Sequence, residues 1–230
     1  MPSHGKRRKY CIHRDRINSR LARKVKLQTK EKKLNLGCGY DHKEGWINAD
    51  SFAQCNPDII LNIEEIPYPF SDNEFDHILL KHVLEHVGES YSKFKAIMKE
   101  LYRITKNNGL IEIHVPHFTH DTFWSDPTHV RAFTPLTFTM MSKRKNDEWI
   151  KAKANYTMIA YDMEVNFELT DGRLVYDYYW AKKVQDGEIS REALDRIARE
   201  KNNVIKEMQL TLKAIKPFEE NLELNALSKI

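Results

Sequence analysis

The chain lacks any apolar run near the ~18 residues a membrane-spanning helix needs, and its first residues carry no apolar core of a secretory leader. Cysteine is scarce: Cys11, Cys38 and Cys55 stand at unrelated spacings, which suggests neither a disulfide framework nor a zinc site. A reducing, cytoplasmic setting and no membrane partner are the plain expectations. No internal repeat interrupts the 230 residues, enough for one domain with a substantial core and an appendage. No Walker lysine follows a glycine loop, which disfavours nucleotide hydrolysis.

What is present begins with charge. Residues 1–33 hold 13 Lys/Arg against Asp15 and Glu31, a local +11, while 24 Lys/Arg and 31 acids leave the remainder at −7. A basic arm, residues 1–31, thus precedes an acidic body. Ile17, Leu21 and Val25 fall four apart, so a short basic helix fits there. Either the arm through residue 33 attracts nucleic-acid phosphates, or it is a solvated tail or docks on its own body. Tyr10 alone interleaves with the basic residues, which argues little for base stacking.

The body, residues 32–189, is organised around Lys33-Leu-Asn-Leu-Gly-Cys-Gly39. Leu34 to Leu36 read as a strand, and Gly37 and Gly39 make a turn that lets backbone approach a ligand. Asp50 ends the next apolar run, where a carboxylate can accept two ribose hydroxyls. Only residues 40 to 45 separate Gly39 from Trp46, too few for a crossover helix. Further strands are expected at 58–61, 75–80 and 110–115. Between the last two, Ser90 caps a helix over 90–105 whose stripe is Phe94, Ile97, Met98, Leu101 and Ile104.

Beyond these lie a polar-aromatic insert at 116–138 and two strands, 158–169 and 174–179, joined by a hairpin turn at Asp171-Gly172. A long C-terminal helix runs from about Ser190 to Lys216 within a terminal segment 190–230, and Pro217 stops it. Its apolar face packs on the domain or on a second copy of the chain in a homodimer. The fold class is α/β: a Rossmann-like, mostly parallel sheet with helices on both faces, a C-terminal antiparallel hairpin and that helix.

Ligands bind at the carboxyl ends of strands in such sheets, which gathers Gly37–Gly39, Asp50, Asn62–Ile63, Lys81–His82 and Pro116–His117. No third glycine of a dinucleotide fingerprint follows Gly39, so an adenosine without pyrophosphate suits the turn better.

Over residues 33–138 the chain resembles class I S-adenosylmethionine-dependent methyltransferases, in the branch with a short link between the first two strands. The matching pieces are Leu34-Asn-Leu-Gly-Cys-Gly39, Gly45-Trp-Ile-Asn-Ala-Asp50, Pro67–Phe70 with Asn73-Glu-Phe-Asp76, His82-Val-Leu-Glu-His86 and Glu100–Gly109. The resemblance implies S-adenosyl-L-methionine as cofactor. Leu36, Gly37, Cys38 and Gly39 would form the turn at its methionine portion, and Asp50 would hold the ribose hydroxyls. Asn62, commonly aspartate in relatives, would accept from the adenine amine, with Ile63 at the ring edge and His82 near the sulfonium.

The insert would lie over the methyl-donor end and meet the acceptor. A histidine titrating near neutrality suits removal of a proton from a hydroxyl or amine. His117 or His129 is therefore expected as base, with Asp121 or Asp126 orienting it. The same cluster admits a divalent ion or simple bracing of the loop; no i, i+4 histidine pair supports zinc, and no metal ligand set is assigned. Glu85 and His86 read as anchors of a helix start, and His114 as a hydrogen-bonded core residue.

No Asn/Asp-Pro-Pro-Tyr/Phe motif follows the fourth strand, which disfavours exocyclic base amines. No thiolate stands where cytosine C5 chemistry expects one. The leading expectation is O- or N-methylation of a small molecule, sugar or glycan precursor. The rivals are a nucleic-acid methyltransferase served by the arm, and a methyltransferase-like adaptor without catalysis.

Overall fold

The computed structural model describes residues 31–219. The basic arm expected at 1–31 lies, apart from Glu31, outside the described residues, as does the end of the expected terminal segment.

A seven-stranded sheet in the order β3-β2-β1-β4-β5-β7-β6 carries the fold. β1 (Lys33–Leu36), β2 (Ile47–Asp50), β3 (Ile59–Ile60), β4 (Phe75–Lys81) and β5 (Thr105–Pro116) run parallel. β6 (Phe167–Tyr176) and β7 (Ile205–Ala214) complete it, with β7 antiparallel to both neighbours. Leu34, Leu36, Ile78, Leu80, Ile111 and Ile113 are fully buried at its centre, as expected of strands covered on both faces.

α1 (Tyr91–Ile104) follows β4 and is started by Ser90, whose hydroxyl accepts from Lys93 N at 3.3 Å. Phe94, Ile97, Met98, Leu101 and Ile104 are its buried stripe, as the spacing predicts. The insert holds α2 (Asp121–Ser125) and the start of α3 (Pro135–Thr139); α4 (Lys143–Lys151) and α5 (Ile159–Met163) lead into β6. α6 (Tyr178–Gln185) and α7 (Arg191–Glu200) connect β6 to β7.

No helix joins β1 to β2, in line with the six-residue spacing. Side chains hold that loop instead. Asn35 Nδ2 donates to the Asp41 carbonyl at 2.9 Å and to Asn48 Oδ1 at 3.0 Å, and Asn48 Oδ1 also accepts from Lys43 N at 2.8 Å. Both asparagines are buried, so each bond answers a polar group that would otherwise be stranded.

Three expectations are corrected. The long helix over 190–216 is a ten-residue helix, α7, followed by strand β7. Met208, Leu210, Leu212 and Ala214 alternate into the core along it, a period of two that a helix cannot bury on one face. Because β7 lies between β5 and β6, no boundary at 189/190 separates a terminal segment from the domain. The antiparallel pair is also formed differently. Ile159–Met163 is helical, and Asp171 and Gly172 pair with Thr211 and Leu210 inside β6, next to a bulge, rather than turning a hairpin.

Candidate active site

The glycine turn leaves β1 at the carboxyl end of the sheet. Gly37 and Cys38 both donate to the Ala49 carbonyl, at 2.8 and 3.1 Å, which keeps the turn beside β2. Gly37 has φ +73°, and a Cβ there would lie 2.4 Å from Val83 Cγ2. Gly39 has φ +48°, with nothing within 4 Å of the position its Cβ would take. The open side of the turn therefore belongs to Gly39.

Asp50 locks onto this turn. Its Oδ2 accepts from Gly39 N and its Oδ1 from Phe52 N, each at 2.8 Å. Each oxygen keeps a second lone pair for a hydroxyl donor. Leu36 is fully buried, and burial pushes the Cys38 thiol up to about 12, so it packs as a neutral side chain. Asn62 is exposed and turned into its own loop: Oδ1 accepts from Glu64 N at 3.1 Å and Nδ2 donates to Glu65 at 2.9 Å. Ile63 is buried, and its carbonyl accepts from Tyr68 Oη at 2.8 Å.

His82 sits just past β4 with φ +55°, a conformation uncommon without glycine and typical of functional turns. Its Nε2 lies 2.9 Å from Glu207 and its Nδ1 3.4 Å from Glu85. Glu207, then Glu85, hold the imidazolium, raising His82 to about 9 against the opposing effect of burial. His82 is therefore a cation flanked by two carboxylates at neutral pH.

The insert folds back over this end. Val130 N donates to the Glu85 carbonyl at 2.8 Å and His117 N to the Lys206 carbonyl at 2.9 Å. His82, Glu85, His86, Asp126, His129 and Glu207 line one cavity of about 290 Å³. His129 Nδ1 is 2.6 Å from the Phe123 carbonyl; since a carbonyl only accepts, Nδ1 carries the hydrogen, and in the neutral tautomer the lone pair falls on Nε2. His117 does not line this cavity: its Nδ1 pairs with Thr119 Oγ1 at 2.7 Å, its ring stacks on Phe118, and burial lowers its pKa.

The two aspartates serve other partners than the expected bases. Asp121 Oδ1 lies 3.0 Å from His120 Nδ1. Asp126 Oδ1 accepts from Thr128 N and Thr128 Oγ1, at 2.9 and 2.6 Å, and these bonds lower its pKa. His129 is oriented by a backbone carbonyl instead.

Residues 34–113 match a family model described as a methyltransferase domain. Residues 34–113 form a methyltransferase domain. Among solved structures the chain is similar to a SAM dependent methyltransferase from Archaeoglobus fulgidus, at 17% identity over 87% of this chain and 94% of that one, with a TM-score of 0.48. It is also similar to a SAM-dependent methyltransferase from Methanosarcina mazei (13% identity, 83% and 95% covered, TM-score 0.47). A third is the N-methyltransferase NodS from Bradyrhizobium japonicum (10% identity, 81% and 86% covered, TM-score 0.47). Likenesses at this level decide nothing about the acceptor. No curated protein matches the chain significantly.

Two features of the crevice were not legible in the sequence. Glu207 escaped because β7 reads as a helix, which hides its position opposite Pro116. Thr128 escaped because a threonine beside Asp-Pro reads as turn chemistry; its role needs the distance to His86. A larger cavity, about 1010 Å³ and lined by Asn73, Lys106 and Lys216 among others, lies at the amino ends of β4 and β5. That is the far end from the crevice where open α/β sheets bind ligands.

Proposed function

We propose that this methyltransferase domain transfers the methyl group of S-adenosyl-L-methionine to an oxygen or nitrogen of a small molecule, sugar or glycan precursor. The observation that carries the reading is the joined turn and carboxylate, Gly39 N to Asp50 Oδ2 at 2.8 Å, within the matched segment. Leu36–Gly39 would hold the methionine portion and Asp50 the ribose. Asn62 and Ile63 would meet the adenine; Asn62 must release Glu64 N or use its second lone pair to do so.

Transfer is an in-line displacement. The acceptor's lone pair attacks the methyl carbon, the C–S bond breaks with its electrons going to sulfur, and neutral S-adenosylhomocysteine leaves. The acceptor's proton departs separately. Catalysis then consists largely of positioning. Glu85 and Glu207 offset the charge of His82 beside the sulfonium. On the acceptor side, His129 is better placed than His117 because it lines the cavity with a bare Nε2; Asp126 supports the same wall, and Asp121 acts only on His120.

The test is methyl transfer from labelled S-adenosylmethionine to a panel of sugars, polyols and small amines. An active acceptor whose methylation is lost in His129→Ala and kept in His117→Ala supports this assignment. Loss confined to His117→Ala contradicts it.

A further inference from the structure

Its long ion pair with His82 leaves the buried carboxylate of Glu85 without a hydrogen bond. Glu85 is 1% exposed, and neither of its oxygens has a hydrogen-bond partner. Its neighbouring cation, His82, stands 3.4 Å off and is closer to Glu207. A carboxylate left this way costs free energy unless a cation faces it.

Two imidazoles supply the rest of a donor set. The hydroxyl of Thr128 donates its single hydrogen to Asp126 Oδ1 at 2.6 Å, so toward His86 Nδ1, 2.8 Å away, it can only accept. His86 therefore carries its hydrogen on Nδ1, as His129 does against the Phe123 carbonyl. Each ring is then left with Nε2 for a metal, and each is oriented by an acceptor, the arrangement found behind metal-bound histidines. A carboxylate oxygen of Glu85, a ring nitrogen of His86 and a ring nitrogen of His129 lie within 4.8 Å of one another. Ligands around an ion with bonds of about 2.0–2.2 Å stand roughly 3–4 Å apart, so small side-chain rotations close the set.

We propose that Glu85, His86 and His129 bind one first-row divalent cation, such as Zn²⁺, in the acceptor crevice. Two imidazoles and one carboxylate favour such an ion over Mg²⁺ or Ca²⁺. The Asp126–Thr128 pair is then a positioning device for His86. The site stands on its own geometry; only its use rests on the methyl-transfer reading. In that use the cation takes the acceptor hydroxyl as a further ligand and lowers its pKa. The proton passes to bulk water, and the metal-bound oxygen attacks the methyl carbon. His129 Nε2 then serves as a ligand and takes no proton.

The test uses the full chain, stripped with a chelator, titrated calorimetrically with ZnCl₂ and, separately, with S-adenosylmethionine. The expected result is a Zn²⁺ site weakened at least about tenfold in Glu85→Gln and in His129→Ala, with a loss of about tenfold in Thr128→Val. Cys55→Ser, which breaks the separate Cys38, His42 and Cys55 cluster, should leave that site intact. Glu85→Gln keeps shape, so it reads the site even where His129→Ala fails to fold. Absence of Zn²⁺ binding, equal binding in Glu85→Gln, or loss confined to Cys55→Ser would overturn the proposal. Donor binding without Zn²⁺ binding sinks only this inference; Zn²⁺ binding without donor binding sinks only the methyl-transfer reading.

Discussion

The backbone N–H of Gly39 donates to Asp50 Oδ2 over 2.8 Å, so the turn after β1 and the carboxylate ending β2 form one unit. Gly37, two residues earlier, faces inward onto Val83. The two glycines therefore do different work, although they read alike in the sequence.

That difference is measurable. Gly37→Ala brings a Cβ to 2.4 Å from Val83 Cγ2 at φ +73°, and should destabilise the fold by about 2 kcal/mol or more. Gly39→Ala meets open space at φ +48°, so its fold should lose only about 1–2 kcal/mol from backbone strain, while its Cβ would enter the space proposed for the donor. Urea unfolding and S-adenosylmethionine titration should separate the two. Equal stability losses with unchanged donor affinity in Gly39→Ala would contradict the assignment of the open face.

Asn48 holds the loop that stands in for a crossover helix. Asn48→Ala strands Lys43 N and one Asn35 amide hydrogen, and should cost about 1–3 kcal/mol. Hydrogen exchange over residues 37–46 should rise with it. Unchanged protection there would mean the loop is held by something else.

Glu100 supplies a pH signature. Burial opposes its charge, but Arg103, with bonds of 2.6 and 2.9 Å, and Tyr68 N, at 2.6 Å, hold its carboxyl below its ordinary 4.5. A carboxylate with a depressed folded value stabilises above the unfolded value and loses that contribution as pH falls through the folded one. Glu100→Gln should therefore cost about 1–3 kcal/mol at pH 7. The gap to the wild type should shrink below about pH 4.5. A gap independent of pH down to strong acid would show that shape, not charge, is at work.

The first half of the domain was legible because its signals are local. Leu34–Leu36, Asp50, the Ser90 cap and the stripe of α1 each declare their structure within a few residues. The C-terminal half was not, since Val204, Met208 and Leu212, four apart, satisfy a helical spacing as well as an alternating one. The deciding fact is tertiary: a vacancy between β5 and β6 that only a strand fills. In the site, the type of residue was legible and the pairing was not. His129 and Asp126 share a cavity, yet the aspartate reaches His86 through Thr128, and no sequence spacing encodes that relay.

Calorimetric titration of S-adenosylmethionine into the wild type and Asp50→Ala tests the central claim most directly. The wild type should bind, and Asp50→Ala should lose about 2 kcal/mol, the scale of charge-assisted hydrogen bonds and roughly thirtyfold in Kd. Failure of the folded wild type to bind S-adenosylmethionine or S-adenosylhomocysteine would contradict the account and leave the domain as a non-catalytic scaffold.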